Sequence, residues 1–243
     1  MIKIIEEKYI KLLQDIRSYF KKSEQSIHKA RNEIKILDFD SEQLVVKSFK
    51  IPNFFNKIVY TFFRSTKAEK SYNNSVKIIK FVPKPIGYIE FKSFGLLHDS
   101  YFISEIFDYN FTIREVLLDK NFEDRVNIFK LFAKFTLELH EDGILHKDYS
   151  PGNILIKKNT KKYDFKIVDI NRMEFKELTL QERLKNFSQL WAKNDDLKII
   201  IDAYSELIYQ NKADCLKKAL YYSQKHKATK NFKKRLKGKK VVD

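Results

Sequence analysis

The chain is expected to be an α+β protein with a β-rich front half and a mainly helical rear half, a two-lobe plan. Three observations carry this expectation. As far as residue 105, most of the chain reads as short runs rich in β-branched and aromatic residues. Beyond that, apolar residues recur mostly at helical spacing. Hydrophobic residues make up 43% and aromatics 14% of 243 residues, enough for a sizeable core, which excludes a disordered chain. With 5 glycines and 4 prolines there is no long linker, so the halves meet directly near residues 104–109. The boundary is placed between residues 1–105 and 106–243.

Ile5, Tyr9, Leu12, Ile16 and Phe20 recur every three or four residues, which predicts an opening amphipathic helix. The period then shortens. Residues 26–30 and 33–37 read as a hairpin around Arg31-Asn32, and residues 43–50, carrying Lys47, as a third strand. Residues 52–80 pattern as a helix, which Val82-Pro83-Lys84-Pro85 cannot continue. Two further strands, 86–91 and 96–104, flank a turn at 92–95, giving five mostly antiparallel strands and a helix. In the rear half, residues 124–141 form a densely apolar helix ended by Gly143. A loop with Pro151-Gly152 leads into a hairpin, 154–156 and 165–168, with Lys158-Asn-Thr-Lys161 at its turn. Everything after Leu178 patterns as helix.

Forty-eight basic residues against 32 acidic give a net charge of +16, which points to phosphate-rich partners. Eight of the basic residues are Arg and the rest Lys, so part of the excess reflects a Lys-rich composition. Nine lie between Lys225 and Lys240 with no acid among them. This tail, 225–243, reads either as a solvated end or as a contact for an anionic bilayer or lipid phosphates. Nucleic acid ranks last, because Phe232 is the tail's one aromatic and no recognisable nucleic-acid-binding module is present. A single cysteine, Cys215, excludes an internal disulfide and favours a reducing compartment. Charged residues interrupt the first twenty positions, and no long apolar run follows. The expected location is therefore the cytoplasm, peripheral on the inner face of the cytoplasmic membrane.

Chemistry concentrates in one stretch, residues 140–156. There His146-Lys-Asp148 is followed by four residues and Asn153, immediately before an apolar strand. Sixteen residues after Asn153, Asp169 stands at the exit of the second hairpin strand. Phosphoryl transfer from ATP needs such a set: a carboxylate to take the acceptor's proton, and an amide oxygen and a second carboxylate to hold Mg²⁺ on the phosphates. Lys47, in the third strand, is the candidate cation for the α- and β-phosphates. Read singly, Asp148, Asn153 and Asp169 could be turn or cap residues, and Lys47 a solvated strand lysine with Lys50 nearby. No zinc spacing and no Gly-x-Ser-x-Gly elbow competes.

This arrangement resembles the protein-kinase-like superfamily and, within it, the kinases that phosphorylate Kdo or heptose of the lipopolysaccharide core. The likeness spans residues 27–173 and rests on Val45-Val-Lys47-Ser-Phe-Lys, Pro83-Lys-Pro85, Asp99-Ser-Tyr-Phe-Ile-Ser-Glu105 and Ile167-Val-Asp169-Ile-Asn-Arg-Met173. It implies a two-lobed fold with a small five-stranded antiparallel N-lobe, residues 1–105, that binds nucleotide. A helical catalytic C-lobe, 106–243, completes it. By the same resemblance Asp148 is the catalytic base, with His146 holding its loop. Asn153 and Asp169 are Mg²⁺ ligands, and Lys47 is the ATP lysine. Glu69 is the carboxylate placed to pair with it, against a surface-helix alternative. Ser104-Glu105-Ile106 is the hinge whose backbone meets adenine, and Tyr149 to Gly152 shape the loop beside the acceptor. Arg172 either binds an acceptor anion or pairs with a nearby acid.

The sequence departs from the pattern at two places. Residues 21–30, where a glycine-rich phosphate flap belongs, hold no glycine, so phosphate cover must come from other backbone conformations. The Asp-Phe-Gly triplet reads Asp169-Ile170-Asn171, with no Ala-Pro-Glu segment after it, which favours a small-molecule or glycolipid acceptor over a protein. The expected activity is an ATP- and Mg²⁺-dependent kinase acting on a sugar hydroxyl of a lipopolysaccharide core or lipid A–Kdo glycolipid. The alternatives are a small Ser/Thr protein kinase and a catalytically silent binding module.

Overall fold

The computed structural model describes residues 1–29, 32–160 and 162–238. Arg31, Lys161 and the tail residues Lys239 and Lys240, named above, lie outside them. The fold is mixed α/β with an antiparallel main sheet. The chain divides into two compact units, Met1–Asp108 with Val168–Asn171, and Tyr109–Ile167 with Arg172–Asp243. A boundary drawn at 105/106 misses the short return of 168–171 to the first unit.

The first unit contains β1 (Ile2–Ile4), α1 (Ile10–Gln14), α2 (Ile16–Lys22), β2 (Ser26–Lys29), β3 (Glu33–Phe39) and β4 (Glu42–Phe49). After these come α3 (Phe54–Phe62), α4 (Lys67–Lys77), β5 (Pro85–Ser93) and β6 (Leu96–Glu105). Six strands form an antiparallel sheet in the order β1-β5-β6-β4-β3-β2, one more than expected. The extra strand, β1, precedes the stretch from Ile5 expected as helix. Gly87 admits it: a Cβ there would lie 2.5 Å from the Lys3 carbonyl oxygen, so only glycine lets β1 approach β5 this closely.

The expected apolar spacing survives although the opening helix is broken at Asp15. Tyr9, Leu12, Leu13, Ile16 and Phe20 are buried on one sheet face against Leu37, Leu44, Val46 and Ile103. Side chains alternate along β4, so Phe49 turns to the other face, where it packs with Ala68, Tyr72 and Tyr88. The single helix expected over 52–80 is two. Asn53 caps α3 by accepting the Asn56 N–H, and Thr66 caps α4 by accepting the Glu69 N–H at 3.1 Å. Thr66 is buried and donates to Glu90 Oε1 at 2.6 Å, so a tertiary bond fixes the break.

The second unit contains β7 (Phe111–Thr112), α5 (Ile113–Leu118), α6 (Arg125–Glu141), β8 (Ile144–His146), β9 (Ile154–Lys158) and β10 (Tyr163–Ile167). It ends with β11 (Met173–Phe175), α7 (Leu180–Asn186), α8 (Asn194–Leu207) and α9 (Lys212–Arg235). Helix α6 buries Phe129, Phe132, Leu137, Leu139 and His140, as its dense apolar pattern requires. Gly143 has φ +69°, and a Cβ there would meet the Lys176 carbonyl at 2.8 Å. The hairpin β9–β10 forms as expected and gains β7 as a third strand. The β8–β11 pair is too short to leave a periodic signal. Helix α9 runs unbroken to Arg235, so the 225–243 tail begins as helix. Lys227 Nζ donates to the Ala192 carbonyl at 2.8 Å, and Lys234 lies 5.1 Å from the Trp191 ring centroid. Lys227 and Lys234 thus tie one side of this helix to its own unit, while Lys225, Lys230, Lys233, Arg235 and Lys237 are exposed.

Candidate active site

In the second unit, residues 146–153 form a turn whose polar groups are closely tied. His146 is buried, and its Nδ1 accepts the Asp148 N–H at 3.0 Å, so that nitrogen carries no proton. The His146 carbonyl accepts from Asn186 Nδ2 at 3.0 Å and Gln189 Nε2 at 3.3 Å. The Asp148 carbonyl accepts from the Ser150 N–H at 2.7 Å and from Asn153 Nδ2 at 2.9 Å. A single 3₁₀ turn, Pro151–Asn153, then closes the loop into β9. Since its amide nitrogen is committed to Asp148, Asn153 has its amide oxygen left for a hard cation.

The loop is anchored from below by Tyr149. Its ring is fully buried and stacked on Phe132 at 5.8 Å, its hydroxyl bonds Thr136 Oγ1 at 2.8 Å, and its N–H donates to Gln189 Oε1. Burial pushes its phenol far above the usual tyrosine range. The candidacy of Tyr149 as a substrate contact is therefore corrected: the side chain is core and cannot touch an acceptor. Asp148 itself is about one-third exposed, and Arg172 holds its Oδ2. The partner left open for Arg172 in the sequence is thus the loop carboxylate, with 60% of the Arg172 side chain still exposed. Gly152 keeps the loop backbone close to Arg114 of α5, whose Nη2 would lie 2.5 Å from a Cβ at that position.

Lys47 and Asp169 meet within the first unit, 122 residues apart in sequence. Lys47 Nζ donates to Asp169 Oδ1 at 2.5 Å, with the lysine side chain 12% exposed. Lys47 projects from the face of β4 that also carries Phe49, whose ring lies 5.4 Å from its ammonium. Lys50 is exposed beyond the strand. Asp169 adopts φ +57°, a left-handed conformation that Asp tolerates better than most residues. Asn171 Nδ2 donates to the same Oδ1 at 2.6 Å, and Asn74 of α4 donates to the Ile170 carbonyl at 2.7 Å. Backbone strain supported from both sides is typical of functional positions.

Two further expectations need correction. Glu69 is not the ion-pair partner of Lys47; it sits in the first turn of α4, and its charge helps burial raise the Tyr88 phenol to about 12. The Glu105 N–H is already given to the Lys84 carbonyl at 2.9 Å, and its carboxylate pairs with Lys84 Nζ at 3.3 Å. The sequence reading did not single out Asn186, Gln189, Asn74 or Arg114. Each acts on a segment distant in sequence and has no motif around it. Among the described residues no group of three or more His, Cys, Asp or Glu side chains gathers as a ready metal cage. A site completed by nucleotide phosphates needs none.

No family model matches this chain, and no curated protein matches it either. A solved structure described as WaaP in complex with acyl carrier protein is similar over 93% of this chain and 99% of its own. Its TM-score is 0.58 at 13% identity. At that identity the likeness is one of fold.

Proposed function

We propose that this protein is an ATP-dependent phosphotransferase whose acceptor is a sugar hydroxyl of the lipopolysaccharide inner core, Kdo first and heptose second. The observation that carries the reading is the Lys47–Asp169 pair, formed across 122 residues and supported by Asn171 and Asn74. It matches the phosphate lysine and metal carboxylate that the sequence resemblance names. The full-length likeness in fold to the WaaP structure agrees with it.

In this reading Asp148 accepts the proton of the acceptor hydroxyl as that oxygen attacks the γ-phosphorus, and ADP leaves with the electrons of the broken P–O bond. Lys47 neutralises the α- and β-phosphates. Asn153 and Asp169 would hold Mg²⁺ through oxygen, and the ion would supply positive charge for the phosphates. His146 fixes the Asp148 backbone, and Arg172 exchanges Asp148 for a carboxylate or phosphate of the acceptor, where its planar fork binds two oxygens. A second reading, the silent binding module, draws on the same Arg172–Asp148 pair, which would hold a base out of use.

One experiment decides between them. Purified protein, Mg²⁺, ATP and a Kdo–lipid A glycolipid are incubated and the glycolipid is weighed by mass spectrometry. Gain of one phosphate, lost in Lys47→Ala, supports the transferase; ATP binding without any gain on Kdo or heptose acceptors supports the silent module.

A further inference from the structure

Helix α3 leaves its phenylalanines in solvent. Phe54, Phe55, Ile58, Val59 and Phe62 share one side of its wheel, while Asn56, Lys57 and Tyr60 share the other. An ordinary surface helix turns its apolar side to the core, but here no α3 residue is buried, and Phe54, Phe55 and Phe62 are 64%, 78% and 67% exposed. Ile58, Val59, Tyr60 and Thr61 are half-buried, and one hydrogen bond ties the helix to the sheet. Thr61 Oγ1 accepts the Leu97 N–H at 2.9 Å, and Asn56 and Tyr60 border a cavity of about 440 Å³. Phe63, just past the helix, is 77% exposed.

A second element adds to the same region of the first unit. Leu97, the residue that Thr61 holds, lies three positions after Phe94, at the tip of the β5–β6 hairpin. Phe94 is fully exposed, and its φ of +49° is a conformation that a bulky residue adopts at a cost. Basic residues accompany these rings: Lys50, Arg64 and Lys67 are exposed and Lys57 half-buried along the α3 segment, and Lys92 is exposed beside the hairpin tip.

We infer that α3 and the Phe94 turn form a membrane-docking surface for an anionic phospholipid bilayer. Exposed phenylalanines on a helix with basic neighbours match an interfacial helix, whose rings enter the acyl boundary while lysines and arginines meet the head groups. A bilayer accommodates rings projecting from two separate elements, whereas a folded partner would need a matching cavity for each. The inference does not depend on phosphoryl transfer. It also moves the principal membrane contact away from the α9 tail, which packs on residues near Trp191.

The test is co-sedimentation with vesicles of phosphatidylcholine alone or with about 30% phosphatidylglycerol. The wild-type chain should bind the anionic vesicles. The F54S/F55S/F62S/F63S variant should lose about tenfold or more in partitioning, and F94S a smaller factor. These rings are exposed, so circular dichroism should find the variants folded. Phe55→Trp provides a second readout independent of affinity: its emission should shift to the blue and be quenched by brominated acyl chains. Unchanged binding by the serine variants would overturn the inference, as would an indole at position 55 that brominated lipid does not quench. Loss of vesicle binding on replacing Lys225, Lys230 and Lys233 by Gln, with the phenylalanine variants unaffected, would return the contact to the tail.

Discussion

The 146–153 turn and helix α3 are opposite solutions to the use of aromatic and polar side chains. In the turn, Tyr149 and His146 go inward, and hydrogen bonds from Asn186, Gln189 and Asn153 hold the main chain that carries Asp148. In α3 the phenylalanine rings go outward, and one hydrogen bond ties the helix to the sheet. The first arrangement fixes one carboxylate in place, and the second leaves a surface free to meet something else. Rigidity and exposure are thus assigned to different elements, and substitutions should separate them.

The largest effect is expected where the turn is anchored. Tyr149→Ala should cost about 3–5 kcal/mol of stability, as for other large buried rings, measured by urea unfolding. Tyr149→Phe should cost only about 1 kcal/mol, because Thr136 keeps its bond to the Phe132 carbonyl. Next comes the carboxylate itself. Asp148→Ala should lower turnover by at least ~10² with little change in Tm, since the side chain is partly exposed. Activity within a few-fold of wild type would remove Asp148 from the chemistry.

Below these lies a pH effect at the base of α6. Burial holds the His140 imidazole down at about 4, between Tyr204 and Asn186 and with Arg183 acting in the same direction. A folded value below the unfolded one, about 6.5, means that the folded state binds fewer protons there. Stability is therefore full above pH 6.5 and declines as pH falls towards 4, by roughly 2–3 kcal/mol at pH 4.5. His226, also lowered by burial, adds a smaller slope of the same sign. His140→Gln should flatten most of the decline in urea titrations, and an unchanged slope would exclude His140 as its source. The smallest effect belongs to α3. Phe55→Ser should shift stability by no more than ~0.5 kcal/mol, so a large loss would mean that the ring packs in solution.

Strands β2 to β6, helix α6 and the β9–β10 hairpin were legible in the sequence, because each carries a period-2 or helical apolar pattern bounded by turn residues. Strands β1, β8 and β11 were not, since three residues hold too little periodicity and gain their identity from a partner strand. The break between α3 and α4 was missed for a related reason. Thr66, which starts α4, is held by a bond to Glu90, 24 residues away. The residue types and spacing of His146, Asp148, Asn153, Asp169 and Lys47 could be read directly, as could the surplus of positive charge.

Which carboxylate sits beside Lys47, what fills the space under Asp148, and which way the α3 rings face were decided by tertiary structure. Local patterns record how a segment buries its own surface. Glu69 and Asp169 are equally acidic in sequence, and only the return of residues 168–171 to the first unit, fixed by Asn74, brings one of them to the lysine. An amphipathic period likewise states that a helix has two sides. The side that faces water is set by what the rest of the chain offers it, and for α3 that includes the Leu97 N–H of β6, which Thr61 accepts.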